Sequence, residues 1–296
     1  MKYTLCVLLC SAFFVHNVYS LQGGTTVTLG THPSHALVLV EQVPHGGTIV
    51  NINHVVTSCR IVLTANNELR PVAQFAIRAG GITFTEGTAN TVTAIFPHPE
   101  FNPWTFNNDV AVANNFAFNF NVANPPIAPA VLNERVFGEQ TDCFVVGFNA
   151  PTVAVPNPPL LQLVQPVLNR ATGCNAATVH NGRVLESMLC GGVLGANSGI
   201  CPSTIGGGLY CFGNFTGIAT SGTGCGAANS PGIYTQVRHH VQWINNQLTR
   251  TQIPAAGPTH PPGVIVSAAV IATVAHTLLI CLAFLITIQC LFNAIF

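Results

Sequence analysis

The stretch Gly199-Ile200-Cys201-Pro202-Ser203-Thr204-Ile205-Gly206-Gly207-Gly208-Leu209-Tyr210-Cys211 decides how the whole chain is interpreted. Ile205 stands at its centre, ahead of three consecutive glycines and between two cysteines. Its alkyl side chain cannot attack a carbonyl carbon, because it has no hydroxyl, thiol or amine. What this position means depends on the segments that accompany it along the chain.

Five further segments accompany this stretch in a fixed order. They are His45–Asn51 running into Val55–Ile61, His98–Phe101 with Asn107–Ala111, Cys143–Phe148, Pro231–Val237, and Val241–Ile244. Together with the stretch around Ile205, they resemble the trypsin-like serine proteases of the chymotrypsin fold. The resemblance covers roughly Leu21 to Leu248. Each segment is weakly specific, and their shared order makes the resemblance strong.

The resemblance implies an all-β fold of two six-stranded antiparallel β-barrels with a C-terminal helix. The first barrel is expected over residues 21–125, and the second barrel with the helix over 126–250. Short β-branched and apolar runs such as His54–Leu63, broken by Pro, Gly and Asn, independently predict many strands. Apolar residues at helical spacing predict the helix over Tyr234–Leu248.

The resemblance also assigns three positions to a catalytic triad. Such a triad needs a hydroxyl nucleophile, a base and a group that orients the base. Ile205 stands at the nucleophile, Arg60 at the histidine base and Asp109 at the orienting aspartate. Arginine stays protonated because its pKa lies above ~12. We therefore predict an inactive homologue, although a family-level label would be serine endopeptidase, and we expect a salt bridge from Arg60 to Asp109.

Substrate recognition differs from the family pattern as well. The resemblance places the specificity-pocket equivalents at Gly199, Ser221, Gly222 and Gly232, where Gly222 removes an aromatic wall. Ser203 replaces the glycine that supplies part of the oxyanion hole. We expect specificity to be lost together with catalysis.

Seven cysteines lie between residues 21 and 250. The resemblance pairs Cys143 with Cys211, Cys174 with Cys190, and Cys201 with Cys225, which fits an oxidising compartment. It leaves Cys59 free. Arg60 beside it could make a reactive thiol, but a small buried side chain is the favoured interpretation.

No metal site and no cofactor are expected. His239 and His240 are adjacent in sequence, so they face different sides of a helix and make a poor pair of metal ligands.

Both ends of the chain are expected to lie outside the globular domain. Residues 1–20 resemble a signal peptide, and residues 251–262 form a Pro-rich stalk. Residues 263–296 lack any charge and exceed the ~20 residues that span a bilayer. Because no Lys or Arg follows, a cleaved lipid-anchor signal is favoured over a retained transmembrane segment. With a glycosylation sequon at Asn214, this predicts a protein on the extracellular face of the plasma membrane.

Charged residues make up 6% of the chain, against about 25% in ordinary domains. With no basic patch in the sequence, nucleic acid and heparin are excluded as expected partners. We expect a monomer that binds a protein or peptide as a decoy, cofactor or recognition protein. The alternatives are an inert, protease-resistant surface coat, and a residual or non-triad enzyme using Cys59, Ser203 or Ser221.

Overall fold

The computed structural model describes residues 21, 23–120, 127–148, 155, 157–221 and 227–249. All of them belong to the larger of the two units into which the chain divides, Met1–Pro258. The predicted signal peptide, stalk and hydrophobic tail lie outside the described residues, as do Gly222 and Cys225. Within the described ranges, no helix has the length and apolar character needed to cross a membrane.

Short antiparallel strands dominate the described part of the chain. The first seven are β1 (Thr25–Thr26), β2 (His35–Val40), β3 (Val43–Asn51), β4 (His54–Thr57), β5 (Phe75–Ala79), β6 (Thr88–Pro97) and β7 (Ala111–Asn115). The others are β8 (Cys143–Phe148), β9 (Leu160–Val164), β10 (Met188–Gly191), β11 (Gly208–Cys211), β12 (Asn214–Ser221) and β13 (Gly232–Gln236). Two α-helices, α1 (Cys59–Val62) and α2 (Val241–Leu248), complete the regular structure together with short turns.

Six of these strands close into a barrel in the order β2-β3-β4-β7-β6-β5. On β5, Phe75, Ile77 and Ala79 are buried and alternate with more exposed residues, as expected for a strand with one face on a core. The barrel core also receives Ile205, which comes from the far end of the chain. The loop around Ile205 is therefore anchored in this barrel.

The second sheet has seven strands in the order β1-β9-β8-β11-β12-β13-β10. Strands β8–β13 supply the six that were predicted, and β1 adds a short edge strand on β9. The segment that follows β9 pairs with β10 through a single bridge, which joins Val167 to Gly191. Pro166 has no N–H to donate there, which limits a longer ladder. The all-β class and the paired sheets are thus confirmed, with this difference in the second sheet.

Two element boundaries were predicted wrongly. The expected strand over His54–Leu63 ends at Thr57, because Ser58 accepts the Arg60 N–H in its side chain and starts helix α1. The expected helix over Tyr234–Leu248 begins only at Val241, because residues up to Gln236 pair with β10 and β12 as strand β13. In both places tertiary pairing or capping overrides the local apolar pattern.

Two predicted disulfides are present, Cys143–Cys211 and Cys174–Cys190. Cys201 is also disulfide-bonded, and its predicted partner Cys225 lies outside the described residues. Cys143 and Cys211 occupy neighbouring strands β8 and β11, and the second bridge ties a turn to β10. The two bridges therefore both stabilise the second sheet.

Candidate functional site

Asp109 is the buried polar centre of the site. It lies immediately before β7 and has no exposed surface. The Ser58 hydroxyl donates to its carboxylate at 2.7 Å, and the Arg60 backbone N–H donates at 3.0 Å. The Thr220 side chain also favours the charged form of the Asp109 carboxyl group and so lowers its pKa. Burial raises the pKa of Asp109 to about 6, while these hydrogen bonds act in the opposite direction.

The Arg60 guanidinium forms no ion pair with Asp109 within 4.0 Å. Its Nη1 donates to the carbonyl oxygen of Thr220, and its guanidinium lies 4.2 Å from the centroid of the Phe106 ring. The expected salt bridge from Arg60 to Asp109 is therefore wrong. Among the described residues the ion pair that forms is Arg70 with Glu41, at 3.4 Å. The Asp109 oxygens already have donors, and the guanidinium keeps contact with solvent, which avoids the cost of burying a charge.

Ile205 is packed as a core residue. Only 7% of it is exposed, and it joins the core of the first barrel. Its carbonyl accepts the Gly46 N–H at 2.9 Å. The next residue, Gly206, has a φ of +86°, and a Cβ there would lie 2.2 Å from the Thr57 hydroxyl. Glycine is required at this position by both backbone angle and space.

The loop before Ile205 uses its backbone donors internally. Residues Pro202–Thr204 form a 3₁₀ turn. The Ile205 N–H donates to the Pro202 carbonyl at 3.3 Å, and the Thr204 N–H donates to the Cys201 carbonyl at 2.8 Å. An oxyanion hole needs N–H groups aimed at a reacting oxygen, and the Ile205 N–H is aimed into the turn.

The two serines proposed as alternative nucleophiles differ in their surroundings. The Ser203 hydroxyl is buried and donates to the Phe148 carbonyl at 3.0 Å. Ser221 ends strand β12 and is half-buried. In this arrangement Ser203 is held by the second sheet and not by a base.

Two cavities flank Arg60. One, of about 310 Å3, is lined by His45, Arg60, Arg70 and Ile205 among others. Burial lowers the pKa of His45 to about 4, so its ring is neutral at pH 7. The contact of Arg60 with Phe106 borders both cavities, since Phe106 lines the second.

The second cavity, of about 280 Å3, is largely apolar. It is lined by Trp104, Phe106, Thr220 and Ser221 among others. The Trp104 ring is 71% exposed, which leaves a large aromatic surface at its edge. An exposed aromatic next to an apolar cavity is typical of a binding surface.

The predicted specificity positions are only partly brought together. Ser221 lines the cavity of about 280 Å3, whereas Gly199 and Gly232 are buried, Gly232 at the start of strand β13. A Cβ on Gly232 would lie 2.7 Å from the hydroxyl oxygen of Tyr234. That hydroxyl donates to Gln165 Oε1 at 3.0 Å. The space beside Gly232 is thus occupied by a buried tyrosine ring.

Three residues of the site were missed from the sequence. Ser58 could have been found, since a serine ahead of a short helix is a typical N-cap. Thr220, not Ser221, contacts Asp109, and a register shift in β12 between Ala219 and Ser221 breaks the strand alternation that would have shown it. Phe106 carries no sequence signal for its contact with Arg60.

Cys59 is free and buried. Its thiol donates to the Val110 carbonyl at 3.0 Å. Burial first, and then the charge of Asp109, raises its pKa well above the usual range, so the thiolate is disfavoured. Within the described residues, no group of three or more His, Cys, Asp or Glu side chains could hold a metal ion.

Asn214 lies in a tight hairpin between β11 and β12. It is half-buried, and its partner Thr216 is buried. Phe212 and Gly213 both adopt positive φ in the turn, as two-residue hairpins require. The sequon therefore sits at a hairpin tip, with Asn214 partly accessible.

Comparison with known proteins matches this chain to the family described as Trypsin over residues 21–244. Serine protease 1 of Rattus norvegicus is 31% identical over 209 residues, which cover 69% of this chain and 79% of the rat protein. Anionic trypsin of Bos taurus is 28% identical over 205 residues, with the same two coverages of 69% and 79%. A trypsin of Xenopus laevis is 24% identical over 254 residues, covering 83% of this chain and 97% of the frog protein.

Proposed function

The chain belongs to the trypsin family, and from that premise we propose that it is a non-catalytic member that acts by binding a protein or peptide. The observation that carries the proposal is the packing of Ile205, which fills the centre of the loop as a core residue. The alkyl side chain that fills this position has no hydroxyl, thiol or amine with which to attack a substrate carbonyl.

The rest of the site supports the absence of acyl transfer. Arg60 stands where the family has its base, and a guanidinium does not accept a proton at neutral pH. Asp109 then orients a backbone N–H and a serine hydroxyl in place of an imidazole. Loss of a nucleophile or base alone costs roughly 10⁶ in turnover in a related triad.

The surface around Arg60 favours recognition. The cavity next to Phe106 combines apolar lining with the exposed Trp104 ring. Aromatic residues of this kind contribute much of the binding energy at protein interfaces. In this proposal the protein holds a partner there as a decoy, cofactor or recognition protein.

The proposed location of the protein is the extracellular face of the plasma membrane. Residues 1–20 direct the chain into the secretory pathway, and the apolar residues 263–296 anchor it at the extracellular face of the plasma membrane. The disulfides of the second sheet are compatible with an oxidising compartment. The anchor is tested by release of the protein from cells with a phospholipase that cuts lipid anchors, which a transmembrane helix would resist.

A second candidate function is an inert, protease-resistant coat. It is favoured by the charge content of 6% and by Lys2 being the only lysine, because trypsin-like proteases cut after Lys and Arg. Resistance to trypsin without any specific partner on the cell surface would favour the coat over the binding role.

Labelling with a fluorophosphonate probe, which reacts with activated serines, tests the absence of catalysis. We expect the native protein to remain unlabelled at concentrations that saturate bovine trypsin. Labelling that disappears in Ser203→Ala or Ser221→Ala would contradict the proposal and reveal a displaced nucleophile.

Cross-linking on cells that display the full chain tests the binding role. We expect a defined partner band that is weakened by Trp104→Ala. Phe116→Ala is the matched control, since Phe116 is another exposed aromatic, 64% accessible, and does not line the cavity. Equal bands from both variants would remove the cavity from the proposal.

A further inference from the structure

A separate cavity of about 330 Å3 opens on the second sheet. Three arginines line it, Arg135, Arg170 and Arg238. They come from distant parts of the sequence and make up a third of the nine Lys and Arg residues in the chain. Neither of the two cavities described above is lined by as many arginines.

The three guanidinium groups have no carboxylate partner within 4 Å. Among the described residues only Arg70 forms an ion pair. Arg238 donates from Nε to Gln236 Oε1 at 2.8 Å, which uses one of its five N–H donors. Donors of this kind facing a cavity are available to a ligand.

The backbones that carry these arginines are held in place. Arg135 exchanges hydrogen bonds with the buried Asn133, at 3.0 Å to its N–H and 2.8 Å to its carbonyl. Arg170 begins a π-helical turn capped by the Asn169 side chain, and the turn ends at Cys174. The Cys174–Cys190 disulfide ties that turn to strand β10. A fixed backbone reduces the entropy lost when a ligand orders these side chains.

The cavity is lined by apolar and by charged side chains, and this restricts the chemical class of ligand that can bind there. Phe137, Leu168 and Leu189 contribute apolar surface, and Glu139 and Glu186 place two carboxyl groups on the same cavity. These carboxyl groups would repel the sulfate groups of a densely sulfated sugar. A ligand in which carboxylates alternate with apolar side chains can pair with the guanidinium groups and also pack against the apolar lining.

From this we infer that the cavity binds an acidic and apolar segment of a protein partner. Its volume lies within the range of ordinary ligand sites. None of Arg60, Asp109 and Ile205 lines it, so it is independent of the proposed role of the cleft. The three arginines are far apart in the sequence, and the fold brings them to one cavity.

Fluorescence anisotropy with a labelled hexapeptide of alternating glutamate and leucine tests the inference on the full chain, purified in detergent. We expect binding to weaken about ten-fold or more in the triple variant Arg135→Gln, Arg170→Gln, Arg238→Gln. Arg78→Gln, on strand β5 of the first barrel, should stay within about two-fold of the native protein. The double variant Glu139→Gln, Glu186→Gln should bind about three-fold more tightly, a gain that misfolding cannot produce.

Three outcomes would overturn the inference. One is equal binding by the native protein and the triple variant. Another is equal binding of the matched peptide in which glutamine replaces glutamate. The last is displacement of the peptide by a heparin-type oligosaccharide that binds more tightly than the peptide, which would assign the cavity to sulfated sugars.

Discussion

The two halves of the cleft keep their geometry by opposite means. Around Asp109 a buried carboxylate is held by hydrogen bonds from Ser58 and the Arg60 backbone. Around Ile205 the loop is held by apolar packing in the first barrel and by the close approach of Gly206 to Thr57. The first half remains polar and ordered, whereas the second has become part of the core.

In the proposed non-catalytic role, the polar half keeps its hydrogen bonds while the half around Ile205 contributes to the barrel core. In the polar half, hydrogen bonds to Asp109 offset part of the cost of burying its carboxylate. The apolar half gains burial where a reactive group would need to stay accessible. Four predictions follow the comparison from the larger effect to the smaller.

Removing the Ile205 side chain should give the largest loss of stability. Ile205→Ala leaves a cavity in the barrel core and is expected to lower the free energy of unfolding by about 3 kcal/mol. Ile205→Val, the matched control, should cost about 1 kcal/mol. Urea denaturation measures both, and equal midpoints for native protein and Ile205→Ala would show that the loop is not anchored in the core.

Removing the Asp109 carboxylate should cost somewhat less. Asp109→Ala leaves the Ser58 hydroxyl without its acceptor and removes one of the two acceptors of the Arg60 N–H, an expected loss of about 2 kcal/mol. Asp109→Asn keeps one acceptor oxygen and should cost about half of that. If both variants unfold at the same urea concentration as the native protein, the hydrogen bonds to Asp109 do not stabilise the cleft.

Lowering the pH should reduce the free energy of unfolding, and protonation of Asp109 should offset part of that loss. Burial lowers the pKa of His35 to about 3 and those of His45 and His98 to about 4. The unfolded chain therefore takes up protons below pH 6.5 that the folded chain refuses, and stability falls between pH 6.5 and 4. The raised pKa of Asp109, about 6, works the other way, because the folded carboxyl takes up its proton first.

The variant Asp109→Asn lacks that opposing contribution. Between pH 6.5 and 4.5 it should lose on the order of 1 kcal/mol more than the native protein. Thermal unfolding at several pH values gives the comparison, and parallel profiles for the two proteins would refute the account of Asp109.

The contact of Arg60 with Phe106 should matter least for stability. Arg60→Ala removes an exposed cation–π contact and a hydrogen bond to Thr220, at an expected cost of about 0.5–1 kcal/mol. Arg60→Gln keeps hydrogen-bond donors and should fall between Ala and the native residue. A loss above about 3 kcal/mol would mean that the guanidinium is a structural element of the cleft.

The sequence predicted the fold better than the site. The ordered segments around Cys143–Phe148 and Pro231–Val237 were sufficient for two antiparallel sheets, because each motif lies on a strand that pairs with its neighbours. The end of the strand predicted over His54–Leu63 was wrong because Ser58 caps helix α1. The start of the helix predicted over Tyr234–Leu248 was wrong because residues up to Gln236 pair as strand β13.

The side-chain directions in the site could not be predicted. The expected proximity of Arg60 and Asp109 suggested an ion pair. In the structure the backbone N–H of Arg60 donates to the carboxylate, and its guanidinium donates to the Thr220 carbonyl. The cavity with Arg135, Arg170 and Arg238 was also invisible, since only the folded second sheet brings these residues together.

Peptide hydrolysis tests the central claim most directly. The full chain and its double variant Arg60→His, Ile205→Ser would be assayed side by side on a mixed peptide library. We predict no turnover by the native protein, and turnover by the double variant alone would show that the cleft still accepts peptides. Turnover by the native protein that a serine-hydrolase inhibitor abolishes would contradict the account.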